Sequence, residues 1–179
     1  PVDNDETTLT RKFFLGKTEV TNALYAEVLQ WAYDNGKFSE EGSSINYMSA
    51  SYRGKLLVNL SSRRIIYSSG VFTVDSDSVD HPAVSITWFG AVMFCNWLTE
   101  MRDGGSTENV VYGGIPAPGT DMSFDNISVD NSKNGYRLPT SAEWEYAARY
   151  VGKNNGGRTD LVSQSTNPSL TAGYFWTPA

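Results

Sequence analysis

The sequence predicts an α+β fold, on the strength of two helical periodicities, short alternating apolar runs between them, and a capping sequence late in the chain. Residues 1–12 are polar and acidic and read as a tail entering a strand at Phe13-Phe14-Leu15, with Gly16 loosening the chain before Thr18-Glu19-Val20. From Thr21 to Tyr33, Leu24, Tyr25, Val28, Leu29, Trp31 and Ala32 recur at helical spacing. Thr21 or Asn22 can cap the free N–H groups at that start, and Asn35-Gly36 can end the helix. Residues 36–55 are rich in Gly and Ser and are expected to be loop. Leu56, Val58 and Leu60, then Ile65-Ile66-Tyr67, then Val71 to Val74 are expected to be short strands, with turns such as Ser68-Ser69-Gly70 between them. Asp75 to Asp80 is a polar loop. The clearest element is a helix over 85–104, with Thr87 as its cap, Gly104-Gly105 as its stop and Trp88, Ala91, Val92, Cys95 and Leu98 on its apolar stripe. Residues 105–135 read as loop with extended pieces near Val110-Val111-Tyr112. Pro139-Thr140-Ser141-Ala142-Glu143 then opens a third helix ending near Tyr150, in which Thr140 and Glu143 can cap each other reciprocally. Beyond it lies a polar loop, and Tyr174-Phe175-Trp176 reads as the start of a strand.

At 179 residues, with 40% hydrophobic and 13% aromatic residues, the chain holds enough apolar surface for one folded domain. No run of 18 apolar residues is present, so no transmembrane span is expected. The net charge of −6 is uneven: Pro1–Gly70 carries 8 basic and 8 acidic residues, Val71–Ala179 carries 6 and 12. That sign opposes steering toward phosphate backbones, which argues against nucleic acid as a partner.

Candidate chemistry is sparse. The one cysteine, Cys95, falls on the apolar stripe of the second helix, where a buried structural thiol is expected rather than a nucleophile. With one histidine, His81, the chain cannot build a histidine-rich metal site; His81-Pro82 at a loop boundary suggests a structural role. Asp75, Asp77 and Asp80 superficially resemble a calcium loop, as do Asp121, Asp125 and Asp130, but both runs lack the glycine and terminal glutamate of an EF-hand. Trp31, Trp88, Trp97 and Trp144 lie in expected helices and are read as anchors against a sheet. Tyr47, Tyr52 and Tyr112 lie in expected loops and are the candidates for a binding face.

Three segments carry a family resemblance. FFLGKTEVTNALYAEVL, HPAVSITWFGAVMFCNWLTE and GYRLPTSAEWEYAARY, in that order, resemble the formylglycine-generating enzyme, or sulfatase-modifying factor, family, and RLPTSAEWEYAAR is the most specific part. The resemblance implies a C-type-lectin-like architecture, with helices packed on small twisted antiparallel sheets and extensive loops. It also implies that His81, Trp88, Cys95, Trp97, Arg137, Pro139, Thr140, Glu143, Trp144 and Glu145 occupy structural motif positions. Enzymes of the family oxidise a sulfatase cysteine to formylglycine with copper, oxygen and a cysteine pair; relatives use iron; others are noncatalytic ligand-binding displays, including retroelement-diversified bacterial surface proteins. The catalytic cysteines and the segment that helps hold structural calcium lie beyond the RLPT segment in the family, and neither is present in this sequence, so no copper or iron site is expected in the chain and calcium enters by resemblance alone.

The expectation is therefore one domain over 1–179, with residues 36–80 as an inserted loop and strand region, incomplete at its C-terminus. Its first functional reading is a noncatalytic domain for a protein or glycan ligand, at a bacterial cell surface or in the periplasm, with the C-terminal remainder of the same domain as a further partner. The alternatives are part of an oxidoreductase whose catalytic cysteines lie in a missing segment, and a structural or protein-interaction domain.

Overall fold

The computed structural model describes residues 12–39, 43–115 and 125–149. The tail at 1–11, the loop after Tyr150 and the strand expected at Tyr174-Phe175-Trp176 lie outside them. The chain divides into two compact units, Val20–Leu138 and a second made of Pro1–Glu19 with Pro139–Ala179.

In the larger unit, helix α1 spans Asn22–Asp34. Thr21 Oγ1 accepts from the Leu24 N–H at 3.2 Å, satisfying one donor that the first turn leaves open. Tyr25, Ala26, Val28, Leu29 and Ala32 form its buried face. Asn35 closes it, its backbone N–H and its Nδ2 both donating to the Trp31 carbonyl at 3.0 and 2.8 Å.

The segment after α1 departs from expectation. A 3-10 turn at Lys37–Ser39 leads to β1, Ser44–Ile45, and β2, Ser49–Tyr52, which join β3, Lys55–Asn59, in an antiparallel sheet of order β1-β2-β3. The loop reading of 36–55 is thus corrected. β2 is Ser-Ala-Ser-Tyr, too small and polar to announce itself, yet Ala50 and Tyr52 point inward on alternate positions and are buried. The strands expected at 65–67 and 71–74 are β4, Ile65–Ser68, and β5, Val71–Val74, paired as a hairpin. Ser69 and Gly70 both take positive φ, 49° and 87°, as a two-residue turn matched to strand twist requires. Gln30 of α1 fastens this hairpin: its Oε1 accepts from the Phe72 N–H at 2.8 Å and its Nε2 donates to the Gly70 carbonyl at 3.2 Å.

Helix α2 spans Trp88–Arg102, with Thr87 Oγ1 accepting from the Gly90 N–H at 3.0 Å. It begins later than the sequence predicts because β3 takes the preceding backbone. The Asn59 N–H donates to the Ser85 carbonyl and the Thr87 N–H to the Leu57 carbonyl, both at 3.0 Å. The single stripe is also corrected: every residue from Val92 to Glu100 is buried, so α2 is the central helix, enclosed on all sides. Two residues of β6, Tyr112–Gly113, pair with β7, Ser128–Val129.

The second unit holds helix α3, Ser141–Arg149. Its capping box forms as expected: the Thr140 N–H donates to Glu143 Oε2 at 2.8 Å, and the Glu143 N–H donates to Thr140 Oγ1 at 3.2 Å. No strand forms at Phe13-Phe14-Leu15; Phe13 instead meets Tyr146 edge-on at a centroid distance of 6.3 Å, and Phe14 is exposed. Replacing Thr140 with Ala should destabilise α3 by ~1 kcal/mol, read as faster amide exchange at Glu143 and Trp144; unchanged exchange would show that the box contributes nothing.

Candidate functional site

Polar residues of α2 form the first cluster. Asn96 acts as a clamp on β6, its Nδ2 donating to the Tyr112 carbonyl at 2.9 Å and its Oδ1 accepting from the Tyr112 N–H at 3.2 Å. Thr99 Oγ1 donates to the Cys95 carbonyl at 2.9 Å and accepts from the Tyr136 N–H at 2.8 Å. The Leu138 N–H donates to the Tyr112 hydroxyl at 2.8 Å. Thr99 and the Tyr112 hydroxyl thus hold the segment Tyr136–Leu138, while Asn96 satisfies backbone groups of β6. Cys95 sits within the cluster, 3% exposed. Burial pushes its thiol up to about 12, against the smaller opposing pull of the Arg137 guanidinium. Burial likewise raises Tyr112 to about 12, and Tyr25, stacked on Phe94 at 5.2 Å, upward also. These groups hold their protons at neutral pH and offer no thiolate for nucleophilic or redox chemistry.

A second cluster surrounds Glu100. Its Oε2 lies 2.7 Å from Lys37 Nζ, and Lys37 also stands 5.8 Å over the Trp31 ring. Phe38 and Tyr52 pack on Trp97 from 5.3 and 5.8 Å, and the Arg53 guanidinium lies 5.3 Å over the Tyr52 ring. Burial, then the Glu100 charge, raises the Tyr52 hydroxyl. No sequence motif marks Lys37, Glu100, Asn96 or Thr99. The available signal is Asn, Thr and Glu recurring within an otherwise apolar helix.

Of the three tyrosines expected in loops, Tyr52 is 7% and Tyr112 5% exposed, both in strands, so their placement on a surface is corrected. Tyr47 is 72% exposed on the tip between β1 and β2, beside exposed Met48. Asn46 shapes that tip, its Oδ1 accepting from the Met48 and Ser49 N–H groups at 2.8 and 3.0 Å. The reading of four anchoring tryptophans is corrected in part. Trp97 is buried and Trp31 packs on the core, but Trp88 is 58% and Trp144 42% exposed. Trp88 opens α2 beside exposed Leu56, whose carbonyl accepts from the Thr87 hydroxyl. His81 is exposed and contributes through its backbone, its carbonyl accepting from the Asn22 N–H at 2.9 Å. Arg137 Nη1 donates to the Leu138 carbonyl at 3.1 Å. Pro139 precedes the cap of α3, while Glu145 lies within that helix.

Three of the acidic residues described are engaged in local hydrogen bonds. Asp75 accepts from the Ser78 hydroxyl and Asp77 from the Ser76 hydroxyl. Asp130 spends its carboxylate on the Ser132 hydroxyl and N–H, which hold it below the usual carboxylate range. Among the described residues no three His, Cys, Asp or Glu side chains converge on a common point. Asp121 lies outside them.

The family model for the sulfatase-modifying factor enzyme 1-like domain matches residues 3–171. The chain belongs to that family. A content of three helices and small antiparallel sheets agrees with the C-type-lectin-like architecture that the resemblance implies. Among curated proteins, the chain is 31% identical over 103 residues to "Chaperone protein LppX" from Paenibacillus barcinonensis, covering 54% of this chain and 34% of that protein. Among solved structures it is similar to CarF, at 25% identity and a TM-score of 0.47, covering 76% of this chain and 44% of that one. The chain thus spans about a third of LppX and under half of CarF. Among the described residues of this family member, no helix is long and apolar enough to cross a membrane.

Proposed function

We propose that this chain is a noncatalytic, ligand-binding portion of a sulfatase-modifying-factor-like scaffold. The observation that carries the reading is Cys95, the one cysteine of the sequence, enclosed in α2 with its thiol raised to about 12. A ligand face is supplied by the exposed tip at Tyr47 and Met48, where an aromatic ring stands clear on a strand connection held by Asn46. Such a ring can stack on a sugar face or an apolar side chain. LppX is named a chaperone protein, which makes a protein segment the class to test before a glycan. Peptide and glycan arrays probed with the 179-residue chain should give selective binding, weakened roughly tenfold or more by Tyr47→Ala at unchanged melting temperature. Absence of selective binding, or binding indifferent to Tyr47, overturns the reading.

A second reading, part of an oxidoreductase, is favoured by the family and by the partial coverage of its relatives. It places the reactive cysteines in chain beyond this sequence. It expects the complete protein to consume oxygen with a cysteine-containing peptide, and no such consumption would sink it.

A further inference from the structure

The end of α1 carries an Asn-Gly pair, Asn35-Gly36, exposed to solvent. Asn-Gly is the dipeptide in which a backbone nitrogen most readily attacks the preceding side-chain amide, because glycine puts no Cβ in the way. Here the pair is tied down. Asn35 Nδ2 donates to the Trp31 carbonyl at 2.8 Å, which orients the carboxamide back along the helix. The Gly36 N–H, whose nitrogen would be the attacking atom, donates to the Tyr33 carbonyl at 3.0 Å. The Ser39 N–H donates to the Gly36 carbonyl at 3.0 Å, and the Ser39 hydroxyl donates to it as well. Gly36 itself sits at φ +70°, where a side chain would be strained.

We infer that Asn35-Gly36 is a spontaneous deamidation site that the C-terminal cap of α1 holds closed. It opens when the last turn of the helix frays. The chemistry needs water alone. The Gly36 nitrogen loses its proton and attacks Asn35 Cγ, forming the N–Cγ bond of a succinimide while ammonia leaves with the Cγ–N bond. Water then adds to one of the two ring carbonyls and opens the ring, giving aspartate or isoaspartate. One water replaces one ammonia, with no change of oxidation state.

The position gives the modification a structural consequence. Either product puts a carboxylate at the C-terminus of α1, where the helix dipole disfavours negative charge. Isoaspartate also lengthens the backbone by one carbon within the turn that delivers Lys37 to Glu100 and Phe38 to Trp97. Conversion at Asn35 therefore loosens the contact that seals the buried Glu100 carboxylate.

The test is a time course on the full chain at mildly alkaline pH, native and in urea, followed by tryptic mapping. Cleavage at Lys17 and Lys37 gives a peptide in which Asn35 is the one asparagine followed by glycine, while cleavage at Lys133 and Arg137 separates a second Asn-Gly pair, Asn134-Gly135, as an internal reference. Conversion at Asn35 should be roughly tenfold or more slower in the native chain than in urea, as two cap bonds must open first. Ser39→Ala, which removes the hydroxyl bond to Gly36, should speed native conversion and leave the rate in urea unchanged. Equal rates in the two conditions, or no effect of Ser39→Ala on native conversion, overturn the gate. An Asn35 that stays intact in urea while Asn134 converts overturns the site.

Discussion

Gly90→Ala should be among the most damaging single substitutions in the chain, although it adds one methyl group to a helix. A Cβ at Gly90 would stand 2.1 Å from the Leu57 carbonyl oxygen and 2.7 Å from its carbon, atoms of the β3 backbone. The same Leu57 carbonyl accepts from the Thr87 N–H, so helix start and strand are joined at the point of approach. Elsewhere in a helix Ala is favoured over Gly by ~1 kcal/mol; here that gain is outweighed. Relief of the clash requires α2 to move off β3, and both sides of that contact are core, with Leu57, Val58, Val92 and Met93 buried. The expected loss is at or above the top of the range of about 1–3 kcal/mol typical of overpacking. Urea unfolding should show a lower midpoint, and Gly104→Ala provides the contrast. Gly104 has open space around it but sits at φ +65°, so its cost comes from backbone strain alone and stays near ~1 kcal/mol. A Gly90→Ala chain as stable as the parent would mean that α2 and β3 are not in contact at that point.

This close approach also marks the boundary of what the sequence can disclose. Helices α1 and α2 and the cap of α3 are legible because periodicity and capping are local: Thr21, Thr87 and Thr140 each satisfy an N–H three residues ahead. The β4–β5 hairpin is legible for the same reason, through Ser69-Gly70. By contrast β1 and β2 depend on partners. Ser-Ala-Ser-Tyr becomes a strand because β3 supplies its ladder and α2 the cover for Tyr52, through Trp97. Tyr112 illustrates the same limit at the candidate site. Its surroundings look like loop in sequence, whereas Asn96, sixteen residues earlier, claims its backbone and Leu138 its hydroxyl. Tyr47 keeps its expected exposure, 72%, because among the described residues nothing distant packs over the short tip it occupies. Trp88 departs from expectation since a stripe drawn on a helical wheel does not say how many sides of the helix the fold will cover; α2 is covered from Val92 to Glu100, while Trp88 in its first turn is 58% exposed.

Stability should fall as pH rises above about 9, and Cys95 should initiate the loss. The thiol rises from an ordinary 9.0 to about 12 in the folded chain because a thiolate cannot be solvated inside α2. The folded state therefore keeps a proton that the unfolded state sheds above about pH 9. With fewer protons bound when unfolded, stability must fall as pH rises through that window, and it is fully retained below it. Carried through to pH 12, the difference between the folded and unfolded thiol amounts to a loss of ~4 kcal/mol, a large share of the roughly 5–15 kcal/mol typical of a domain. Above about pH 10 the buried hydroxyls of Tyr25, Tyr52 and Tyr112, all raised by burial, act in the same direction. Between about pH 9 and 10 the decline should thus be steepest in its dependence on Cys95. Cys95→Ala should start less stable, having lost a buried sulfur, yet flatten the curve over that interval. Urea midpoints measured across roughly pH 7–11 separate the two effects. Thiol reagents supply the independent check: at about pH 8 the native chain should label at the rate of its global opening, orders of magnitude below the same chain in urea. A native thiol that labels as fast as a free one would place Cys95 at the surface and remove the observation on which the noncatalytic reading rests.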